Sequence, residues 1–137
     1  MFDLNSFEVK VSYGEQAITF AKEALSARLY VPGWDLNPTL HNIIKYGNSM
    51  NYGVAIVYHN NTPIAIATVK ASWNGILYVF VRKAYRGMGL GKEAANRLLE
   101  AYGGCEEPAG HVNGSKGTEL FFMKLGLPLK ENFSDGY

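Results

Sequence analysis

The apolar run Ile76-Leu77-Tyr78-Val79-Phe80-Val81 is followed closely by the glycine-spaced run Arg86-Gly87-Met88-Gly89-Leu90-Gly91-Lys92. The first run is β-branched and aromatic, which reads as a buried strand. Beyond the glycines, Leu90, Ala94, Ala95, Leu98, Leu99 and Tyr102 recur at helical spacing, so the loop opens onto an amphipathic helix. A helix start exposes unpaired backbone N–H groups and the positive end of the helix dipole, and it attracts phosphate. Glycines permit positive φ and a close approach of ligand to backbone. Arg86 and Lys92 add a full positive charge on either side.

Phosphate loops come in several spacings. The Walker A pattern, G-x-x-x-x-G-K-[ST], fails here: Lys92 is followed by Glu93, and position 86 is Arg rather than Gly. The dinucleotide fingerprint G-x-G-x-x-G sits inside a βαβ unit. Here the glycines fall at 87, 89 and 91, one residue tighter, and the segments before them read as a strand meander. The pattern R/Q-x-x-G-x-G/A is matched by Arg86, Gly89 and Gly91. Through Val81 to Gly91 and on along the helix to Tyr102, the chain resembles the GNAT family of acyl-CoA-dependent N-acetyltransferases. A weaker likeness runs from Ser115 to Leu127, similar to the family's later helix with its Gly-Phe step, Leu127 standing for the Phe.

Composition narrows the alternatives. A chain of 137 residues is expected to form one domain, 1–137, with enough length to bury a core. A net charge of +1 argues against a broad nucleic-acid footprint. Cys105 is the sole cysteine, so no internal disulfide framework exists. No apolar run approaches the roughly 20 residues of a membrane span, and the N-terminal residues lack a secretory pattern. The expectation is therefore a cytoplasmic protein without nucleic-acid or membrane partners. No spacing of His, Cys, Asp or Glu suggests metal ligands.

Along the chain, Phe7 to Tyr13 alternates as a strand, and Glu15 to Leu29 has helical periodicity. Asn37-Pro38 is a helix start, with Asn as N-cap and Pro at the first helical position. Val54 to Tyr58 and Ile64 to Ala71 read as hairpin partners around the turn residues 59–63, and Ile76 to Val81 as the next strand. Gly103-Gly104 ends the third helix. A short strand is expected over Ala109 to Val112, a fourth helix from Ser115 to Gly126, and a short tail beyond.

The resemblance implies an α/β (α+β) GNAT-like fold, with a central, mostly antiparallel twisted sheet flanked by about four helices. It implies acetyl-CoA as co-substrate, with Phe80, Val81, Arg82, Arg86, Gly87, Met88, Gly89, Leu90, Gly91 and Lys92 forming the cofactor site. It implies a strand at 109–112 splayed from its neighbour to admit the pantetheine arm, and a backbone N–H near Phe80 that meets the thioester carbonyl. The acceptor it implies is a primary amine on a small molecule, a protein lysine or an N-terminus, attacked directly in a ternary complex. Tyr30, Trp34 and Asp35 border its site, and a homodimer is one assembly the family uses. The chain departs from the family at Phe122, where a proton-donating Tyr is frequent, and at Ser115, where Asn is frequent. With no acid assigned, Tyr78 and His111 are the catalytic candidates, and His59 is a further titratable group near a hairpin tip. The alternative is a catalytically weak or inactive CoA-binding module that acts through a protein partner.

Overall fold

Alternating and β-branched residues draw the chain into a sheet whose two faces are covered by helices of different character. The computed structural model describes residues 7–33, 35–47, 52–70, 75–102, 109–112 and 129–131. The elements are β1 (Phe7–Tyr13), α1 (Glu15–Ser26), α2 (Pro38–Tyr46), β2 (Tyr52–His59), β3 (Thr62–Lys70), β4 (Gly75–Val81), α3 (Leu90–Tyr102), β5 (Ala109–Val112) and β6 (Leu129–Glu131). The six strands lie side by side in sequence order. β1 to β4 pair antiparallel, whereas β5 joins β4, and β6 joins β5, in parallel. This is the expected mostly antiparallel α/β arrangement, with three α-helices among the described residues. The expected fourth helix falls outside them.

Local chemistry sets the boundaries. Asn37 caps α2 through its side chain, which accepts from the Leu40 N–H at 3.0 Å, and Pro38 opens the helix. The β2–β3 hairpin turns on Asn60 and Asn61, with φ of 51° and 68°. Two successive positive φ angles are what a two-residue type I′ turn requires, and Asn tolerates them. α1 stops at Ser26, short of the expected Leu29. Arg28 adopts φ 56°, while Leu29 N–H reaches the Ala24 carbonyl at 2.9 Å and Arg28 N–H the Leu25 carbonyl at 3.1 Å. That pair of bonds is a Schellman motif, with Ala24 and Leu29 both buried in the same core cluster. Glycine normally marks such an end. Arginine hid it from the periodicity.

The core has two layers. On one face of the sheet, Ala55, Val57, Ala65, Ala67 and Val69 pack against Leu90, Ala94, Ala95 and Leu98 of α3. On the other, Tyr52, Val54, Ile56, Tyr58, Ile66 and Tyr78 pack against α1 and α2 through Ala17, Ala21, Ala24, Leu40 and Ile43. The alanines let helix and strand backbones approach closely on the first face. The second carries larger side chains with polar ends.

Candidate functional site

β4 is the element on which the site is built. Its register with β3 slips between Thr68 and Val69: Thr68 faces Tyr78, but Val69 faces Ile76. Leu77 is therefore an extra residue, a β-bulge that bends the strand and increases its twist. On the other side, β5 pairs with β4 only at Gly75↔Ala109 and Ile76↔Gly110. Beyond that point β5 continues beside β6, through His111↔Lys130 and Val112↔Glu131. The two parallel strands thus diverge at the bulge, and β4 from Leu77 to Val81 has no second strand beside it among the described residues. The expected strand at 109–112 and its splay are both present. The bulge was not read from the sequence, because nothing in an apolar run distinguishes a residue in register from one out of it.

The direction of the backbone groups on that open edge follows from one bond. Arg82 N–H donates to the Ile64 carbonyl of β3 at 2.9 Å. Alternation then turns Phe80 toward β3 as well, and Val79 and Val81 away from it. The groups aimed into the fork are the N–H and C=O of Val79 and Val81, flanking Phe80.

After β4 the chain makes a 3₁₀ turn, Lys83–Tyr85, and enters the glycine loop. Gly87 and Gly89 take φ of 85° and 78°, the region that glycine alone visits without strain. A Cβ built on either would meet nothing within 4 Å, so the loop lies open on that side. Glu93 N–H donates to the Gly89 carbonyl at 2.9 Å, which makes Gly89 the N-cap of α3. The N–H groups of residues 89–92 thereby lack intrahelical acceptors, as at any helix start. Leu90 and Gly91 are buried, Met88 is half-buried against the α3-side core, and Lys92 is exposed.

The two arginines of the expected cofactor set behave differently. Arg82 is a clamp: its Nε donates to the Pro63 carbonyl at 3.1 Å and its Nη2 to the Ala27 carbonyl, tying β3 and the end of α1 to the end of β4. Arg86 is exposed, lies with its guanidinium carbon 5.7 Å from the centre of the Phe80 ring, and donates from Nε to the Val81 carbonyl at 2.8 Å. It therefore sits across the last open-edge carbonyl of β4.

On the α1/α2 face, the Tyr78 hydroxyl donates to the Leu29 carbonyl at 2.7 Å. Burial pushes this phenol up from its usual range. A buried phenol held in its protonated form is a poor base, and the geometry instead gives Tyr78 the task of fastening the start of the α1–α2 loop to β4. Thr68, its neighbour on β3, is fully buried, and its hydroxyl has no partner among the described residues; nor has Nδ2 of buried Asn37. Both belong to the α1/α2 layer. Tyr30 is half-buried and Asp35 exposed in the α1–α2 loop, where His41 Nε2 donates to the Asp35 carbonyl at 3.0 Å. Trp34 lies outside the described residues, as do Ser115 and Phe122. His111 stands in β5 one residue past the last β4–β5 pair, at the mouth of the fork.

The family profile described as Acetyltransferase (GNAT) family matches residues 16–118. No curated protein sequence matches the chain. Among solved structures, an aminoglycoside acetyltransferase, meta-AAC0020, from an uncultured soil metagenomic sample superposes with a TM-score of 0.68 at 16% identity, covering 98% of this chain and 96% of that one. AAC(6')-Iy, in complex with the bisubstrate analogue CoA-S-monomethyl-acetylneamine, gives 0.62 at 15% identity, covering 96% of each chain. The PaiA N-acetyltransferase of Thermoplasma acidophilum, in complex with coenzyme A, gives 0.51 at 16% identity, with 87% and 88% covered. At these identities the likeness is one of fold.

Proposed function

Because the chain belongs to the GNAT acetyltransferase family, we propose that it transfers an acetyl group from acetyl-CoA to a primary amine, by direct attack in a ternary complex, with residues 1–137 acting as one acyl-CoA-binding domain. The observation that carries this reading is the open edge of β4 leading, through one 3₁₀ turn, into the glycine loop. A long cofactor with amide groups at one end and a diphosphate at the other matches that sequence of binding surfaces. The pantetheine amides pair with the outward groups of Val79 and Val81, as an added strand would. The diphosphate rests on the N–H groups of residues 89–92, with Gly87 and Gly89 leaving room for it. Arg86, released from the Val81 carbonyl, and Lys92 supply charge. Structures of relatives described as holding coenzyme A or a CoA-based bisubstrate analogue support the same choice.

The chemistry then needs little from side chains. The amine nitrogen attacks the thioester carbonyl carbon, and its C–N bond forms as the C–S bond breaks. The amine proton is lost and the sulfur leaves as thiolate. A backbone N–H beside Phe80 on the open edge of β4 stabilises the oxyanion; one such donor is typically worth about 3–4 kcal/mol. A thiol of pKa about 8.5 is a tolerable leaving group even without a dedicated acid, which accommodates Phe122. His111, at the mouth of the fork, is the base, imidazole being the side chain best suited to exchange a proton near neutral pH. Tyr78 positions the loop that carries Tyr30, Trp34 and Asp35 to the acceptor.

Phe122, at the position where the family often has Tyr, favours a second reading: a module that binds CoA and turns over slowly or not at all. Thiol release from acetyl-CoA across a mixed panel of amines separates the two. Release above the rate of hydrolysis with at least one amine is expected. Saturable CoA binding with no acceptor-dependent release from any amine, including lysine peptides and aminoglycosides, would favour the module.

A further inference from the structure

Three aromatic rings from distant parts of the chain meet just ahead of the glycine loop. Phe7 opens β1 and lies directly opposite His59, the last residue of β2. Their rings stack with centroids 4.7 Å apart at 23°. Tyr85, the last residue of the 3₁₀ turn, meets His59 edge-on at 5.4 Å and Phe7 at 6.0 Å and 90°. Its hydroxyl and His59 Nδ1 share a hydrogen bond of 2.8 Å. Because a phenol both donates and accepts, either tautomer of the imidazole sustains this bond. Stacking alone allows rings to slide, but a bond of this length fixes the tyrosine along the direction of the loop.

The residue after Tyr85 is Arg86, and Gly87 follows at φ 85°. In the middle of the loop only Met88 reaches the α3-side core, while the Cβ positions of Gly87 and Gly89 face open space. The rest of its placement comes from its ends. One end is Leu90, sunk in the core beneath α3. The other is Tyr85. We propose that His59, through Tyr85 and backed by Phe7, is a positioning residue that sets the place of the glycine loop for the cofactor's diphosphate. This rests on the CoA reading above. It also gives the β2–β3 hairpin, remote in sequence from the loop, a share in cofactor affinity. His59 touches neither the thioester nor the acceptor in this account, so the chemical step is insensitive to it.

The test uses Tyr85→Phe, which keeps the ring and removes the hydrogen bond, together with His59→Ala and His59→Asn, the last of which returns a hydrogen-bonding atom near the position of Nδ1. Dissociation constants are measured for CoA and for pantetheine, which lacks the diphosphate, alongside kcat and KM for acetyl-CoA and a thermal melt. Loss of one hydrogen bond that orders the loop is expected to weaken CoA binding about three- to tenfold, with pantetheine affinity and kcat unchanged. His59→Ala is expected to match or exceed that loss, and His59→Asn to recover part of it. CoA affinity unchanged in both Tyr85→Phe and His59→Ala, or an equal loss for CoA and pantetheine, overturns the inference. If the wild-type protein binds CoA no better than pantetheine, the diphosphate reading of the loop fails, and this inference fails with it.

Discussion

The two faces of the sheet are built on different principles. The α3 face is apolar throughout its described core, alanines and branched residues of β2 and β3 closing against Leu90, Ala94, Ala95 and Leu98. Every buried polar residue among those described belongs to the opposite layer or its connections: Ser12, Asn37, Thr39, Thr68 and Lys70. That layer also holds the bonds from Tyr78 to Leu29 and from the Tyr58 hydroxyl to Glu23 Oε1 at 2.8 Å, and the Lys70 ammonium 5.6 Å from the Tyr52 ring. A close-packed apolar face resists changes of volume and holds the helix, and hence the loop at its start, in one place. A face with polar atoms among its side chains is costlier to bury but has groups with which to recognise a ligand. In the proposed function, the first face serves cofactor positioning and the second faces the acceptor.

The contrast is open to attack by substitution. The largest effect is expected from Ala95→Leu, which forces extra volume between α3 and the alanines beneath it. Overpacking of this kind costs up to about 3 kcal/mol, and for a chain of this length the midpoint of thermal unfolding should fall by about 10 °C. A drop of only a degree or two would mean that the α3 face is looser than described. Gly89→Val should come next. It crowds the helix start and weakens CoA binding about 10- to 100-fold, the range for losing hydrogen bonds to a charged group. Positive φ adds backbone strain of about 1–3 kcal/mol, so a melt is run beside the calorimetry to show that the variant is folded. Wild-type affinity in this variant would detach the loop from the cofactor.

On the other face, Tyr78→Phe removes the bond to Leu29 and should cost about 1 kcal/mol at neutral pH, read by urea unfolding. It should also change the response to alkali. Burial raises the folded phenol above its unfolded value of about 10. Its contribution is fully present below pH of about 10 and is lost as pH rises through the folded value, with a slope of up to about 1.4 kcal/mol per pH unit. The variant should therefore lose less stability than wild type between pH 9 and pH 11. Parallel pH profiles would show that Tyr78 is not held as described. The smallest effect, and the one with opposite sign, is Thr68→Val. Removing a buried hydroxyl that has no partner among the described residues should raise stability by up to about 1 kcal/mol, measured in the same way, while turnover falls if that hydroxyl contacts the acceptor. Lower stability would reveal a partner for Thr68.

The parts of the fold legible in the sequence were those that depend on neighbours along the chain. The apolar run before the glycines, the Asn37-Pro38 start of α2 and the turn residues between β2 and β3 each carry their cause locally. The rest was set by distant contacts. Arg28 ends α1 because Leu29 is drawn into the core, not because of its own preference. Arg82, grouped by charge with Arg86, is drawn away by the carbonyls of Ala27 and Pro63, residues 55 and 19 positions distant. The bulge at Leu77 exists only relative to β3. β6, only three residues long, is held by pairing with β5 rather than by any pattern of its own. His59 read as hairpin-tip chemistry, since its bond to Tyr85 spans 26 positions.

The central claim is that the open edge of β4 and the glycine loop together take CoA. Calorimetric titration of the purified protein with CoA tests it most directly. Saturable binding with one molecule per chain, competed by acetyl-CoA and not by ATP or NAD, is the predicted result. No heat at millimolar CoA, or tighter binding of ATP or NAD, would contradict it.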